Sequence, residues 1–222
     1  MTESYIDIEN VSKTIKGNVI LNNITMHLKS GKIYGIKGKN GSGKTMLFRA
    51  ICGLIRTEGT IKVNDKIVGK DGSYPENVGL LLENPGFLPN YSGFDNLKYL
   101  ADINNKIKDE DIVNAIKMVG LNPNEKKSYK KYSLGMKQKL GIAQAIMENP
   151  DIVILDEPTN ALDEESVERV NCLIMNLKKQ NKIIFISNHN KEELEIICDE
   201  IYSISEGKIT GHIIKGRDNK YE

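Results

Sequence analysis

The residues best suited to chemistry lie in the run "GKNGSGKT", Gly38 to Thr45, where three glycines precede a lysine and a threonine. Glycine loses more backbone freedom on folding than any other residue, so crowding it here marks a backbone that must pass close to something. The spacing G-x-x-x-x-G-K-[ST] lets consecutive backbone N–H groups converge on phosphate oxygens, with the positive end of the following helix aimed at them. Lys44 is placed to reach the β- and γ-phosphates, and the Thr45 hydroxyl to ligate magnesium. The predicted phosphate-binding residues are Gly38, Asn40, Gly41, Ser42, Gly43, Lys44, Thr45 and Met46. Such a string alone is compatible with a chance glycine-rich turn. Here the strand-like "KIYGIK" precedes it and the helical "TMLFRAICGL" follows, which is the context the chemistry requires.

A second element must hold the metal. "DIVILDEP" is an apolar strand ending in Asp156 and Glu157, at the edge where a parallel sheet presents ligands. Asp156 is the candidate magnesium ligand, directly or through water, and Glu157 the candidate base that polarises an attacking water. Two solvated acids at a strand end are common in any α/β protein; their pairing with the glycine-rich loop is what favours chemistry.

The elements that must position these groups alternate. Strand-like stretches are "SYIDIENV", "KIYGIKG", "GTIKVND", "DIVILDE", "NKIIFISNH" and "EIYSISEGKITG". Helical patterns are "KTMLFRAICGL", "FDNLKYLADIN", "DEDIVNAIKMVG", "KQKLGIAQAIM", "EESVERVNCLIMNLKKQ" and "KEELEIICDE". Alternation predicts an α/β fold whose largely parallel sheet is covered by helices. Between about Asn84 and Met147 the pattern is helical only, which predicts a helical subdomain (84–147) inserted into an α/β core (1–83 and 148–222) of one domain. Short alternating strands before about Val68 predict a small antiparallel region.

Composition removes several classes. Hydrophobic residues at 39% and charged residues at 27% describe an ordinary globular chain, and a net charge of +1 gives no nucleic-acid footprint. The lysine-rich "NEKKSYKKYS" reads as a solvated face. No apolar run reaches bilayer length, and "MTESYIDIEN" has no signal-peptide character. Cys52, Cys172 and Cys198 lack metal-ligand spacing and are expected to be small buried hydrophobes in a reduced, intracellular protein. His27 and His212 are expected to be surface residues.

With both motifs in place, the chain resembles the nucleotide-binding subunit of ATP-binding-cassette (ABC) transporters over nearly its whole length. "YSLGMKQKLGIAQAI" looks like that family's signature segment, "NALD" (Asn160 to Asp163) like its D-loop, and "SNH" puts His189 at its switch-histidine position. The resemblance implies a P-loop NTPase (RecA-like) core that binds ATP and magnesium. It implies two subunits stacked head to tail, each ATP lying between one phosphate loop and the partner's signature segment. Ser133 and Gly135 then contact the γ-phosphate across the dimer, Asp163 belongs to the nucleotide site, and His189 senses the γ-phosphate in its own subunit. Peripheral attachment to the cytoplasmic face of the membrane, through separately encoded permease subunits, follows from the same resemblance; nucleic acid is not an expected partner.

Three positions depart from the commonest family pattern. The signature has Leu134 and Met136 where glycine and glutamine are usual. Glu83 stands where the family carries a glutamine, a candidate magnesium ligand in a loop followed by "NPGFLPN", as in bacitracin-resistance and lantibiotic-immunity exporters. Ile15 falls where an aromatic side chain usually stacks on adenine. The main expectation is an ATPase that powers a permease exporting an antimicrobial peptide or drug. Two alternatives stay open: a non-transport ABC ATPase acting on DNA or ribosomes, and a hydrolysis-poor ATP-binding partner in a heterodimeric transporter.

Overall fold

The computed structural model describes residues 4–70, 73–83 and 86–216. Asn84 and Pro85, in the loop after Glu83, lie outside the described residues, as do Met1 to Glu3 at the polar N-terminus. The chain divides into two compact units, residues 1–76 with 178–222, and residues 77–177.

The first unit holds the antiparallel region. Strands β1 (Tyr5–Ile15) and β2 (Asn18–Lys29) form a hairpin, and its two-residue turn has both φ angles positive, 49° at Lys16 and 82° at Gly17. β4 (Glu58–Val63) pairs with the other edge of β1, and the two-residue β5 (Lys66–Ile67) pairs with β4. The expected antiparallel region is therefore present, with β2 as an additional strand. Its buried residues, Leu21, Ile24, Met26 and Leu28, change phase between Leu21 and Ile24, where the β1–β2 register slips and Asn23 has φ 53°. That bulge hides the period-two signal.

The same unit holds the parallel strands that flank the glycine-rich loop. β3 (Lys32–Lys37) lies between β8 (Ile183–Asn188) and β9 (Glu200–Ser205), parallel to both, and β10 (Lys208–Ile214) returns antiparallel to β9. Every residue of β8 is buried, as expected of a strand covered on both faces. Phe185 on β8 packs against Tyr34 of β3 and Phe48 of helix α1 (Lys44–Ile51), with ring centroids 5.9 Å apart in both pairs. The short α6 (Lys191–Ile197) follows β8 and is capped by the Asn190 side chain.

The second unit pairs β6 (Val78–Leu81) with β7 (Ile152–Asp156), in parallel. Between them the described residues form helices and loops: α2 (Gly93–Asn104), α3 (Asp109–Met118), a 3-10 turn at Tyr129–Lys131 and α4 (Leu134–Ile146). α2 starts with a capping box between Ser92 and Asp95, and the buried Asn96 amide ties down the carbonyls of Leu88 and Ser92 ahead of it. α5 (Glu164–Lys179) follows β7 and buries Val170, Leu173, Ile174 and Leu177. That spacing turns Cys172 outward, so it is exposed, against the expectation that all three cysteines are buried. Cys198 is buried and Cys52 partly so; burial pushes each thiol up to about 12. His27 and His212 are both exposed, each beside a carboxylate: Asp7 at 2.9 Å and Glu200 at 2.8 Å.

Candidate functional site

In the first unit, the loop leaves β3 at Lys37 and enters α1 at Lys44. Gly38 is a point of close approach: a Cβ there would lie 2.3 Å from the Ser42 Oγ and 2.7 Å from the Ile204 carbonyl oxygen. Gly43 caps α1 at φ 112° and ψ 0°, without a side-chain cap and without an acidic residue in the first turn. An uncapped helix start leaves amide donors facing outward with a positive partial charge. Lys44 is buried and its Nζ donates to the carbonyls of Gly38 (2.8 Å) and Lys39 (3.3 Å), placing a cation inside the loop.

Ser42 gives the test of fit. Its Oγ is buried and has no hydrogen-bond partner among the described residues. A buried hydroxyl without a partner is costly, and a phosphate oxygen held by the α1 amides supplies one. The residues present fit a nucleotide polyphosphate. Thr45, half-buried on the first turn of α1, offers a hydroxyl of the kind a hard cation accepts.

The parallel register brings a second residue to this edge. Lys37 on β3 is level with Asn188 on β8, so Gly38 and His189, the next residue on each strand, leave the sheet side by side. His189 is exposed, while Asn188 is buried and donates to Glu193 at 2.7 Å. Ile15 lies at the end of β1 in the antiparallel sheet and is 38% exposed.

The second unit carries the carboxylates. Leu81 on β6 is level with Leu155 on β7, so Glu83 and Glu157, two residues on from each, emerge at one sheet edge with Asp156. Asp156 is buried and Glu83 exposed. Glu83 and Glu157 both have left-handed backbones, φ 53° and 50°, at a cost on the order of 1–2 kcal/mol for a residue with a Cβ. Such outliers collect at functional sites. Among the described residues no group of three or more His, Cys, Asp and Glu side chains is arranged to hold a metal ion. A cation at this edge needs oxygen ligands beyond the carboxylates.

Two residues to which the sequence assigns no individual role hold Glu157. The Gln138 amide of α4 donates to the Glu157 carbonyl at 2.9 Å, and the Asn160 amide donates to Glu157 Oε2 at 2.8 Å. The Asn160 backbone N–H also donates to the Glu157 carbonyl, at 3.2 Å. Ser133 caps α4, its Oγ accepting from the Met136 N–H at 3.2 Å. Gly135 in the same turn leaves no room for a side chain, since a Cβ would lie 2.9 Å from the Ala161 carbonyl oxygen. Asp163 starts α5 by accepting from the Ser166 N–H at 2.8 Å. That serine's side-chain and backbone hydrogen bonds hold the Asp163 carboxyl below the usual range, with Lys139 assisting and burial opposing.

Known proteins are similar to this chain. The ABC transporter family matches residues 21–160. An uncharacterized ABC transporter ATP-binding protein, YybJ, of Bacillus subtilis (strain 168) is 45% identical over 205 residues, spanning 92% of this chain and 94% of its own. The bacitracin transport ATP-binding protein BcrA of Enterococcus faecalis is 36% identical, spanning 99% of this chain and 73% of its own. Among solved structures, the dimeric ATP-binding cassette MJ0796 in a post-hydrolysis state with ADP and Pi superposes with a TM-score of 0.86. It shares 20% identity and covers 94% of this chain and 98% of its own, a likeness of fold.

Proposed function

The chain belongs to the ABC transporter family as an ATP-binding, ATP-hydrolysing subunit, and on that premise we propose that it powers a membrane permease exporting an antimicrobial peptide or drug. The observation that carries the site is the loop from Gly38 to Thr45, where an unpartnered buried hydroxyl meets an uncapped helix start and an enclosed lysine. The export reading is supported by the bacitracin transport relative and by Glu83 in place of glutamine.

In this reading Lys44, Ser42 and the amides of Asn40 to Met46 hold the β- and γ-phosphates, and Ile15 packs on the base. Thr45, Asp156 and Glu83 are the protein ligands of magnesium, which when bound offsets charge on the phosphates. Glu157 takes the proton of the attacking water, and His189 reads the γ-phosphate. A second subunit supplies Ser133 and Gly135 across the dimer, and Asp163 belongs to the same interface. Residues 1–83 and 148–222 form the catalytic core and 84–147 the helical subdomain, with the loop at Glu83 reporting nucleotide state to the permease. Contact with the cytoplasmic face of the membrane runs through the permease in this reading; among the described residues no helix is long and apolar enough to cross a membrane.

The test has two arms. Glu157→Gln binds MgATP as the parent does but turns it over at least about 100-fold more slowly, the contribution expected of a general base; unchanged turnover places the base elsewhere. Tagged Glu157→Gln, recovered from native membranes in MgATP, brings down a polytopic membrane protein in stoichiometric amount. A ribosome or DNA complex in its place overturns the transport assignment. Leu134, where the family usually has glycine, keeps the heterodimer reading as an alternative, and the retained Glu157 and His189 argue against it. ATPase activity of the purified chain alone decides against it.

A further inference from the structure

The amide of Gln138 is the one polar side chain that α4 buries; its other buried residues are Leu140, Gly141, Ile142, Ala143, Ala145 and Ile146. A buried amide needs partners. Gln138 spends its donor on the carbonyl of Glu157, 19 residues away, and not within its own helix. That carbonyl belongs to a backbone in the left-handed region, φ 50°, a conformation that persists only where its surroundings impose it. The turn touches α4 at a second point: the Ala161 carbonyl, itself on a residue at φ 61°, sits where a Cβ on Gly135 would be 2.9 Å away. Asn160 then fixes the carboxylate of Glu157 from the other end of the turn, at 2.8 Å.

We propose that Gln138 is a positioning residue for Glu157: its amide makes the first turns of the signature helix and the base-bearing turn move as one piece. Ser133 and Gly135 lie on the same two turns of α4. Engagement of the signature segment with the nucleotide held by the partner subunit therefore sets the position of the base that serves this subunit's own nucleotide. The bond at Gln138 links the two sites of the dimer. This inference rests on the reading of Glu157 as the base and of the signature segment as the γ-phosphate contact.

The experiment uses two variants of the purified chain, each checked for thermal stability. Gln138→Leu removes the amide. Gln138→Glu keeps its shape and loses the donor while ionised, yet regains an O–H donor when protonated. Each lowers kcat at least about tenfold at pH 8, because a catalytic group misplaced by about 1 Å loses ~100-fold. KM for MgATP changes less than about twofold. Turnover of Gln138→Glu, measured relative to the parent at each pH, recovers as pH falls, which a merely structural role would not produce. In a Glu157→Gln background, Gln138→Leu lowers the residual rate by less than about twofold, since it acts through the missing carboxylate. Parental turnover of Gln138→Glu at all pH values, or an undiminished loss in the Glu157→Gln background, overturns the proposal. If Glu157→Gln itself hydrolyses at the parental rate, the base assignment falls and this proposal with it. If Glu157→Gln is inactive and Gln138→Glu is not, only the positioning role falls.

Discussion

Alanine at Gly38 and at Gly41 separates two reasons for glycine in the same loop. Gly41 has φ 79°, and an added Cβ there would meet no atom of the described residues within 4 Å. Its replacement costs only the left-handed penalty, about 1–2 kcal/mol. For a chain of this length, 2–4 °C per kcal/mol makes that a fall in Tm of roughly 2–8 °C. Asparagine, which tolerates this conformation, restores part of it. Gly38 is not in the left-handed region, so its cost is contact: 2.3 Å to the Ser42 Oγ and 2.7 Å to the Ile204 carbonyl oxygen. Overpacking of that kind costs about 1–3 kcal/mol, and asparagine makes it worse. The two variants thus lose comparable stability, but only Gly38→Ala pushes Ser42 out of place. Losing one hydrogen bond to a charged phosphate is worth about 1.5–3 kcal/mol, which weakens MgATP binding by roughly 10- to 150-fold. Calorimetric titration in a Glu157→Gln background measures Kd without turnover, and a thermal melt measures Tm on the same samples. A Gly38→Ala protein that binds MgATP as tightly as its parent refutes the account of Ser42. So does a Gly41 series in which asparagine is no better than alanine.

Other residues give sharper tests of single roles. Ser133→Asp preserves the N-cap of α4, because aspartate caps as well as serine, so Tm holds within about 2 °C. If Ser133 faces a γ-phosphate across the dimer, the new carboxylate repels it and ATPase activity collapses; retained activity removes Ser133 from the site. Glu200 predicts a pH dependence. Burial pushes its carboxyl up, but the bonds and charges of Lys32 (2.6 Å) and His212 (2.8 Å) outweigh this and hold it below its ordinary value. A depressed carboxyl stabilises the fold above its unfolded pKa, near 4.3, and that contribution is lost as pH falls through the lower folded value. Lys32→Met therefore lowers Tm at pH 7, and the gap to the parent closes as pH falls through the depressed folded value; a gap that stays constant with pH assigns Lys32 a packing role only.

The helices were the most legible part of the sequence. All six periodic stretches are helical, from the seven residues of α6 to the sixteen of α5, because each carries an apolar stripe that tertiary packing keeps. Three strands escape the sequence reading. β2 is long but bulged at Asn22 and Asn23, so its alternation changes phase; β5 has only two residues; and β6 has only four and runs into the Glu83 loop. Cys172 failed differently. Its apolar neighbours along the chain lie on the opposite face of α5, and phase rather than local composition decides burial on a helix. The glycine-rich loop is legible because its glycines, lysine and threonine form one contiguous run whose geometry is local. Asn160 acts on Glu157 within one turn, three residues on, whereas Gln138 acts from 19 residues away, and no spacing rule marks it.

The carboxylates show what sequence and structure each contribute. An apolar strand ending in Asp156 and Glu157 is visible in the chain; that Glu157 leaves its strand left-handed is not, since the conformation favours glycine or asparagine over glutamate. Glu83 leaves the parallel neighbour strand in the same conformation, two residues beyond a residue level with the one two before Glu157. Two adjacent strands thus end in glutamates held where a Cβ is disfavoured, at the sheet edge where parallel strands present their ligands. Ordinary turn chemistry would put glycine or asparagine at both places and gain stability. A carboxylate retained at such a position has to be worth more than the strain it carries. Held by Gln138 and Asn160, Glu157 has a fixed geometry, which is what the proposed role of base requires before the water arrives.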